Sequence, residues 1–298
     1  MKHFANRLWD AVDQKGNAAM IGLDPRPDHF PEPFCKQAPN GVLAAATAMK
    51  EYHRELLDVL APKIPIVKPQ AAFFEALGAA GFEAMLDAMA YAKELGILVL
   101  LDAKRGDIGS TSTAYANAYF SGDACPAADA LTINPYLGED ACQPFLEVAQ
   151  KHHAGLFVLV KTSNPGAGLF QDHGQPPLAD QVAHAVNRWG LQNLNENSWS
   201  SVGAVVGATR PAELAHFRKL MPHAPLLLPG FGFQGGSADG LQAAFDSNGH
   251  GGIVNSSRGI LWAHEREDLQ HIPNWQDRVD FAVDEMLQAL APVQKASV

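Results

Sequence analysis

The sequence predicts an α/β fold, a single (β/α)8 TIM barrel with an N-terminal helix, and three observations carry that prediction. Eight short apolar runs recur along the 298 residues. Each run is near-continuously apolar rather than alternating, as parallel strands buried on both faces must be. Helix-like stretches separate the runs, and eight βα units in series point to a closed barrel rather than an open doubly wound sheet.

The elements follow in chain order. Phe4, Leu8, Trp9 and Val12 recur at helical spacing and predict an amphipathic helix before the first strand. The eight strand candidates are 18–24, 64–69, 97–104, 130–135, 156–162, 202–208, 225–230 and 252–256. Helix-like segments at 41–60, 82–95 and 211–221 lie between them, and 282–290 closes the chain. Two segments exceed a minimal barrel: the Pro-rich stretch 25–40 after strand one, and the Gly/Pro-rich stretch 166–177 after strand five. Both follow strand C-termini, the face on which barrel active sites form, and are read as active-site loops rather than tolerated insertions. Residues 192–201 form a polar connector with no assigned role. The whole of 1–298 is read as one catalytic domain.

Composition narrows the function. Hydrophobic residues make up 47% and charged residues 18%, enough for a large core. The formal charge of −10 and the lack of a Lys/Arg cluster argue against nucleic-acid binding. A small phosphorylated substrate remains compatible, since one or two cations and backbone amides suffice to hold it. Cys35, Cys125 and Cys142 are odd in number and form no CxxC, which disfavours a disulfide framework or a structural zinc site. No signal-peptide-like run opens residues 1–20 and no run of about 18 apolar residues occurs, so a cytoplasmic protein without a membrane span is expected.

The polar residues that end the strands carry the chemistry. Strand one ends in Asp24, strand two reaches Lys68, and strand three reaches Asp102 and Lys104, with Asp107 just beyond. Strand four ends at Asn134, and Thr162 and Ser163 follow strand five. In a regular strand residues i and i+2 share a face, with Cα atoms about 6.6 Å apart, so Asp102 and Lys104 should both enter the mouth with Ala103 outward. Asp107, past the strand end, could return toward this mouth or reach a neighbouring subunit; the set Lys68, Asp102, Lys104 and Asp107 would alternate in sign, and nearby carboxylates would keep both ammonium groups protonated. That suits a lysine that donates a proton rather than one that attacks as a free amine. The competing reading is a buried structural ion-pair network, weighed against five ionisable residues converging on one mouth. At the other side, Gly230, Gly232, Gly235 and Gly236 after strand seven and Arg258 after strand eight occupy the usual phosphate position of barrels. The blander alternative there is a tight turn and a surface charge. His152-His153 lacks partners at metal-ligand spacing, and no metal is expected.

Asp102-Ala103-Lys104-Arg105-Gly106-Asp107-Ile108 resembles the Asp-x-Lys-x-x-Asp signature of the orotidine 5′-phosphate decarboxylase family, in its longer bacterial branch. That string is shared with sister phosphate-binding barrels. Its combination with Lys68 and with Pro229-Gly230-x-Gly232-x-Gln234-Gly235-Gly236 is more specific, and the resemblance runs from Gly22-Leu23-Asp24 to Ser257-Arg258. It implies cofactor-free decarboxylation of orotidine 5′-phosphate to uridine 5′-phosphate, the last step of UMP biosynthesis. By the same resemblance Asp24 and Lys68 would bind ribose, Asp102 would lie beside the substrate carboxylate, and Lys104 would protonate the carbon that loses carbon dioxide. Ser163 would read the pyrimidine edge, and Gln234, Gly235 and Arg258 would hold the phosphate. Asp107, with Ile108 and Thr111, would reach into the other subunit's site in a homodimer. Asn164 departs from the His that many members carry, and the loops at 25–40 and 166–177 are long.

The chemistry is consistent with that implication. Loss of the carboxyl from orotate leaves a carbanion in the ring plane, where the π-system cannot delocalise it, so placed charges and binding energy must do the stabilising. The alternatives are a metal-dependent sugar-phosphate decarboxylase or aldolase of a sister barrel, and a non-catalytic nucleotide-phosphate binder. The resemblance disfavours the metal enzyme, because such a barrel wants an acidic ligand where this chain has Lys68.

Overall fold

The computed structural model describes residues 2–123, 125–207, 211–230 and 240–295. Every predicted apolar run yields a strand: β1 Ala19–Leu23, β2 Ile66–Pro69, β3 Leu98–Arg105, β4 Ala130–Ile133, β5 Gly155–Lys161, β6 Val202–Val206, β7 Leu226–Leu228 and β8 Gly252–Ser256. Consecutive strands pair in parallel, and β8 pairs back onto β1 through Ala19 with Val254 and Ile21 with Ser256, which closes the barrel. The closed order confirms the barrel over the open sheet.

Most strand residues are buried on both faces, which explains the continuous apolar runs. One set of side chains points outward to the helices, including Ile21, Val67, Val99, Leu131, Val158, Val206 and Val254. The alternate set fills the barrel, including Met20, Ile66, Leu100, Ala130, Phe157, Leu227 and Ile253. The predicted N-terminal helix forms over Phe4–Lys15, and its Phe4, Leu8, Trp9 and Val12 join this inner cluster. The helix therefore plugs the end of the barrel where the strands begin. Full burial of Phe4 and Leu8 contributes about 1.5–3 kcal/mol each. A Cβ on Gly155 would collide with the Phe4 ring, so a glycine there lets the plug seat. With that end closed, the open mouth lies at the strand C-termini.

The helices between strands form where helical spacing predicted them, with shifted ends. The segment expected at 82–95 begins earlier, at Gly78–Glu94, and the one expected at 282–290 spans Trp275–Lys295. In the latter, Val279, Ala282, Val283, Met286, Leu290 and Val293 extend one buried stripe past the predicted bounds. The 25–40 segment is folded rather than loose: Phe30 and Phe34 are buried and their rings lie 4.6 and 5.8 Å from that of Tyr52 on the helix Val42–Leu60. Within 166–177 a short helix forms over Gly168–Gln171. Among the described residues no helix is long and apolar enough to cross a membrane.

Candidate active site at the barrel mouth

The last inward-facing layer of the barrel is charged. Lys68 on β2 donates to Asp102 Oδ2 at 3.1 Å, and its ammonium lies 3.8 Å from Asp24 Oδ1 past the end of β1. Lys104 donates to Asp102 Oδ1 at 2.6 Å. Gln70 adds a hydrogen bond to Oδ2 at 2.8 Å, and the Thr132 hydroxyl of β4 adds one to Oδ1 at 2.9 Å. Four donors thus converge on one carboxylate with only 9% of its side chain exposed.

Electrostatics follow from that convergence. Burial alone would raise the Asp102 carboxyl, but the charges of Lys68 and Lys104 and the hydrogen bonds from Lys104 and Thr132 outweigh it and hold it at about 2. Burial likewise opposes the charge on Lys68, yet the fields of Asp102 and Asp24 and the hydrogen bond to Asp102 raise its pKa above the ordinary lysine value. Both groups are therefore ionised at neutral pH. The two lysines differ in access: the Lys68 side chain is 6% exposed and that of Lys104 is 44% exposed. Lys68 is locked into the fold, whereas Lys104 faces the mouth.

Lys104 does not reach the mouth by the simple i, i+2 alternation expected from the sequence. The pairing of β3 with β4 runs Leu101 to Leu131 and then Arg105 to Ile133, so extra residues bulge from β3 between them. Lys104 sits in this bulge at φ 48°, a left-handed conformation that costs a non-glycine residue about 1 kcal/mol. Bulges re-aim side chains beside active sites. Ala103 packs toward the helices, as expected.

These groups border a cavity of about 360 Å³, a size suited to a small phosphorylated metabolite. Asp24, Lys68, Asp102 and Lys104 line one side, Ser163 and Asn164 another, and Pro229, Gly230, Ser257 and Arg258 the third. Among the described residues two buried acceptors in its wall, Asp24 Oδ1 and Asn255 Oδ1, make no hydrogen bond, although Asp24 Oδ1 lies 3.8 Å from the Lys68 ammonium, so the wall can accept from donors such as hydroxyl groups. Gly22 lets the far wall close in, because a Cβ there would strike the Ser257 hydroxyl.

Residues 21–271 match the orotidine 5′-phosphate decarboxylase / HUMPS family. The chain belongs to that family. A curated relative named orotidine 5′-phosphate decarboxylase from Rhodopirellula baltica is 45% identical, with 97% of this chain and 99% of the relative covered. One of the same name from Deinococcus radiodurans is 40% identical, with 87% and 89% covered. The solved structure of Leishmania donovani OMP decarboxylase superposes with a TM-score of 0.73 at 30% identity, covering 98% of this chain and 99% of that one.

The remaining predicted residues of this family member fall into three groups. Ser163 lines the cavity, and its segment is clasped by the 166–177 loop: Gln171 accepts from the Thr162 amide at 2.9 Å and donates to its hydroxyl at 2.8 Å. Lys161 at the end of β5 is paired with Asp172 of the same loop. Arg258 opens the short helix Arg258–Leu261, lines the cavity and lies over the Trp262 ring, 6.0 Å from its centroid. Asp107, Ile108 and Thr111 do not line this chain's cavity. Asp107 accepts from the adjoining Ile108 amide at 2.8 Å, Ile108 is 60% exposed, and Thr111 is exposed. Within one chain the expected charge quartet is thus a triad of Lys68, Asp102 and Lys104 joined by Asp24. Gln234 and Gly235 lie outside the described residues.

Sequence reasoning passed over Gln70, Thr132 and Asn255. Each carried a signal: a polar residue inside or just past an apolar run, in step with the inward face. Gln70 follows Lys68 by two positions and bridges to Asp102, and Thr132 interrupts the apolar stretch of β4. Asn134, noted as a strand end, instead accepts from the Tyr136 amide at 3.1 Å and turns its own loop.

Proposed function

We propose that this chain decarboxylates orotidine 5′-phosphate to uridine 5′-phosphate through the charges at the barrel mouth, as one catalytic domain. The observation that carries the reading is the Asp102 carboxylate gripped by Lys68 and Lys104 at the wall of a metabolite-sized cavity. The bond from the ring carbon to the carboxyl breaks, and carbon dioxide leaves. The electron pair stays on the ring carbon and takes a proton from the Lys104 ammonium, which solvent then re-protonates. Overall one substrate and one proton give uridine 5′-phosphate and carbon dioxide.

Each residue has a part in that reading. Asp102 stands beside the substrate carboxylate and, at about 4 Å and an effective dielectric of 20, repels it by about 4 kcal/mol. Lys68 holds Asp102 in place and, with Asp24, takes the ribose hydroxyls; the Asp24 oxygen that makes no hydrogen bond among the described residues supports this. Ser163 reads the pyrimidine edge. Arg258 holds the phosphate together with Gln234 and Gly235. Lys68 is itself the buried cation at the position where a metal-dependent sister barrel would need an acidic ligand. The working unit is a homodimer in which Asp107, Ile108 and Thr111 serve the partner's cavity. Its support is that they avoid their own cavity and that the loops after β3, β4 and β5 expose Ile108, Tyr136, Leu137, Leu169 and Phe170, a surface suited to a second copy. A cytoplasmic location fits such a biosynthetic step.

The test is loss of orotidine 5′-phosphate absorbance with purified protein in excess EDTA. Turnover that chelation does not diminish supports the reading. No turnover, or turnover that chelation abolishes and added metal restores, overturns it.

A further inference from the structure

We propose that Thr132 is a positioning residue for the decarboxylation: its hydroxyl ties the Lys104 backbone to the Asp102 carboxylate and so fixes where the Lys104 ammonium delivers its proton. The proposal rests on the reading of the mouth given above and adds to it a residue that does not line the cavity.

From Leu101 to Arg105 β3 advances four residues while β4 advances two, from Leu131 to Ile133. The Lys104 amide falls in the irregular stretch and donates to Thr132 Oγ1 at 2.9 Å. Thr132 is fully buried, so water cannot substitute for this acceptor.

The hydroxyl's own proton has one destination. An amide N–H only donates and an ionised carboxylate only accepts, so Thr132 Oγ1 accepts from Lys104 N and donates to Asp102 Oδ1 at 2.9 Å. The same Oδ1 receives the Lys104 ammonium at 2.6 Å. The result is a closed ring: Lys104 amide to Thr132 hydroxyl, hydroxyl to Asp102, and Asp102 to the Lys104 side chain. Both ends of Lys104 are held to one carboxylate oxygen. The left-handed backbone of Lys104, φ 48°, is therefore held at the residue that must aim a proton. A flexible lysine stem cannot supply that aim unaided.

The experiment compares Thr132→Val, which keeps the shape and removes the hydroxyl, with Thr132→Ser, which keeps the hydroxyl. Thr132→Val is expected to lower kcat about 100-fold, the size of effect of a roughly 1 Å misplacement, while the Kd for uridine 5′-phosphate stays within about threefold. Thr132→Ser is expected to recover at least about a tenth of the wild-type kcat. Amide hydrogen exchange at Lys104 reads the same geometry without turnover: protection should fall at least about tenfold in the valine variant and return in the serine one. If valine does not fold, Thr132→Ala takes its place in both measurements. A valine or alanine variant with kcat within threefold of wild type overturns the proposal, as does unchanged protection at Lys104. Parallel loss of kcat and of product affinity also overturns it, since it marks a merely structural role. Failure of the wild type itself to turn over substrate would instead refute the decarboxylase reading, and the exchange measurement would still decide the role of Thr132.

Discussion

Replacing Asp102 by asparagine keeps the shape of the mouth and removes the charge that four donors share. At 3.1 Å and an effective dielectric of 20, the Lys68–Asp102 attraction is about 5 kcal/mol. Burying both ions costs several kcal/mol in return, so the net is smaller. The Lys104 contribution is discounted because that side chain is 44% exposed. The depressed carboxyl sets the scale of the net effect of burial, Lys68, Lys104 and Thr132 together. An aspartate held at about 2 rather than 3.8 has its charged form favoured in the fold by about 2 kcal/mol. Asp24, 3.8 Å from Lys68, remains to share the orphaned cation, which keeps the cost from rising much further. Because the folded pKa is lowered, this stability is fully present above about pH 4 and is lost as pH falls toward about 2. Urea unfolding should therefore show Asp102→Asn less stable by about 2 kcal/mol at pH 7, with the gap narrowed to about half by pH 3. The variant should also lose at least about 100-fold in kcat, since Lys104 loses its anchor. An asparagine variant as stable as wild type at pH 7, or a gap that does not shrink with acid, would refute the view that Asp102 is held ionised by the lysines.

Two further predictions concern the phosphate and the second subunit. Arg258→Ala should weaken uridine 5′-phosphate binding by about 10- to 100-fold, the worth of a charged hydrogen bond, and leave uridine binding little changed; equal losses for both ligands would remove the phosphate assignment. Asp107→Ala and Lys104→Ala subunits should each be nearly inactive alone. Co-expressed, they should regain about a quarter of wild-type activity, because about half the dimers are mixed and each mixed dimer has one intact site. Verified heterodimers as inactive as their parents would show that Asp107 acts within its own chain.

The barrel was legible because its strands are buried on both faces: runs such as Val202–Val206 are apolar without alternation, and each is bounded by a turn or a helix. The N-terminal helix was legible from the spacing of Phe4, Leu8, Trp9 and Val12, but its seat in the end of the barrel was not. Helix ends were less so, because the stripe of Trp275–Lys295 runs on through residues whose neighbours are polar. At the site, Asp24, Lys68, Asp102, Lys104, Ser163 and Arg258 could be placed because charges and hydroxyls at strand ends stand out against apolar runs. The bulge at Lys104 could not be foreseen, since it depends on how β3 registers against β4, a relation between strands that neither sequence contains alone. For the same reason the bond from the Lys104 amide to the Thr132 hydroxyl could not be foreseen. Asp107 illustrates a different limit: one chain shows only that it leaves its own cavity, not where it goes.

In the proposed reaction the Lys104 ammonium, aimed by Asp102, donates the proton that completes decarboxylation. In Lys104→Ala, with turnover and product binding measured on the same preparation, carbon dioxide release should fall to below about one part in a thousand, a loss of several kcal/mol of catalysis, with uridine 5′-phosphate still bound within about tenfold of wild type. Residual turnover clearly above that level in a folded, product-binding variant would contradict it.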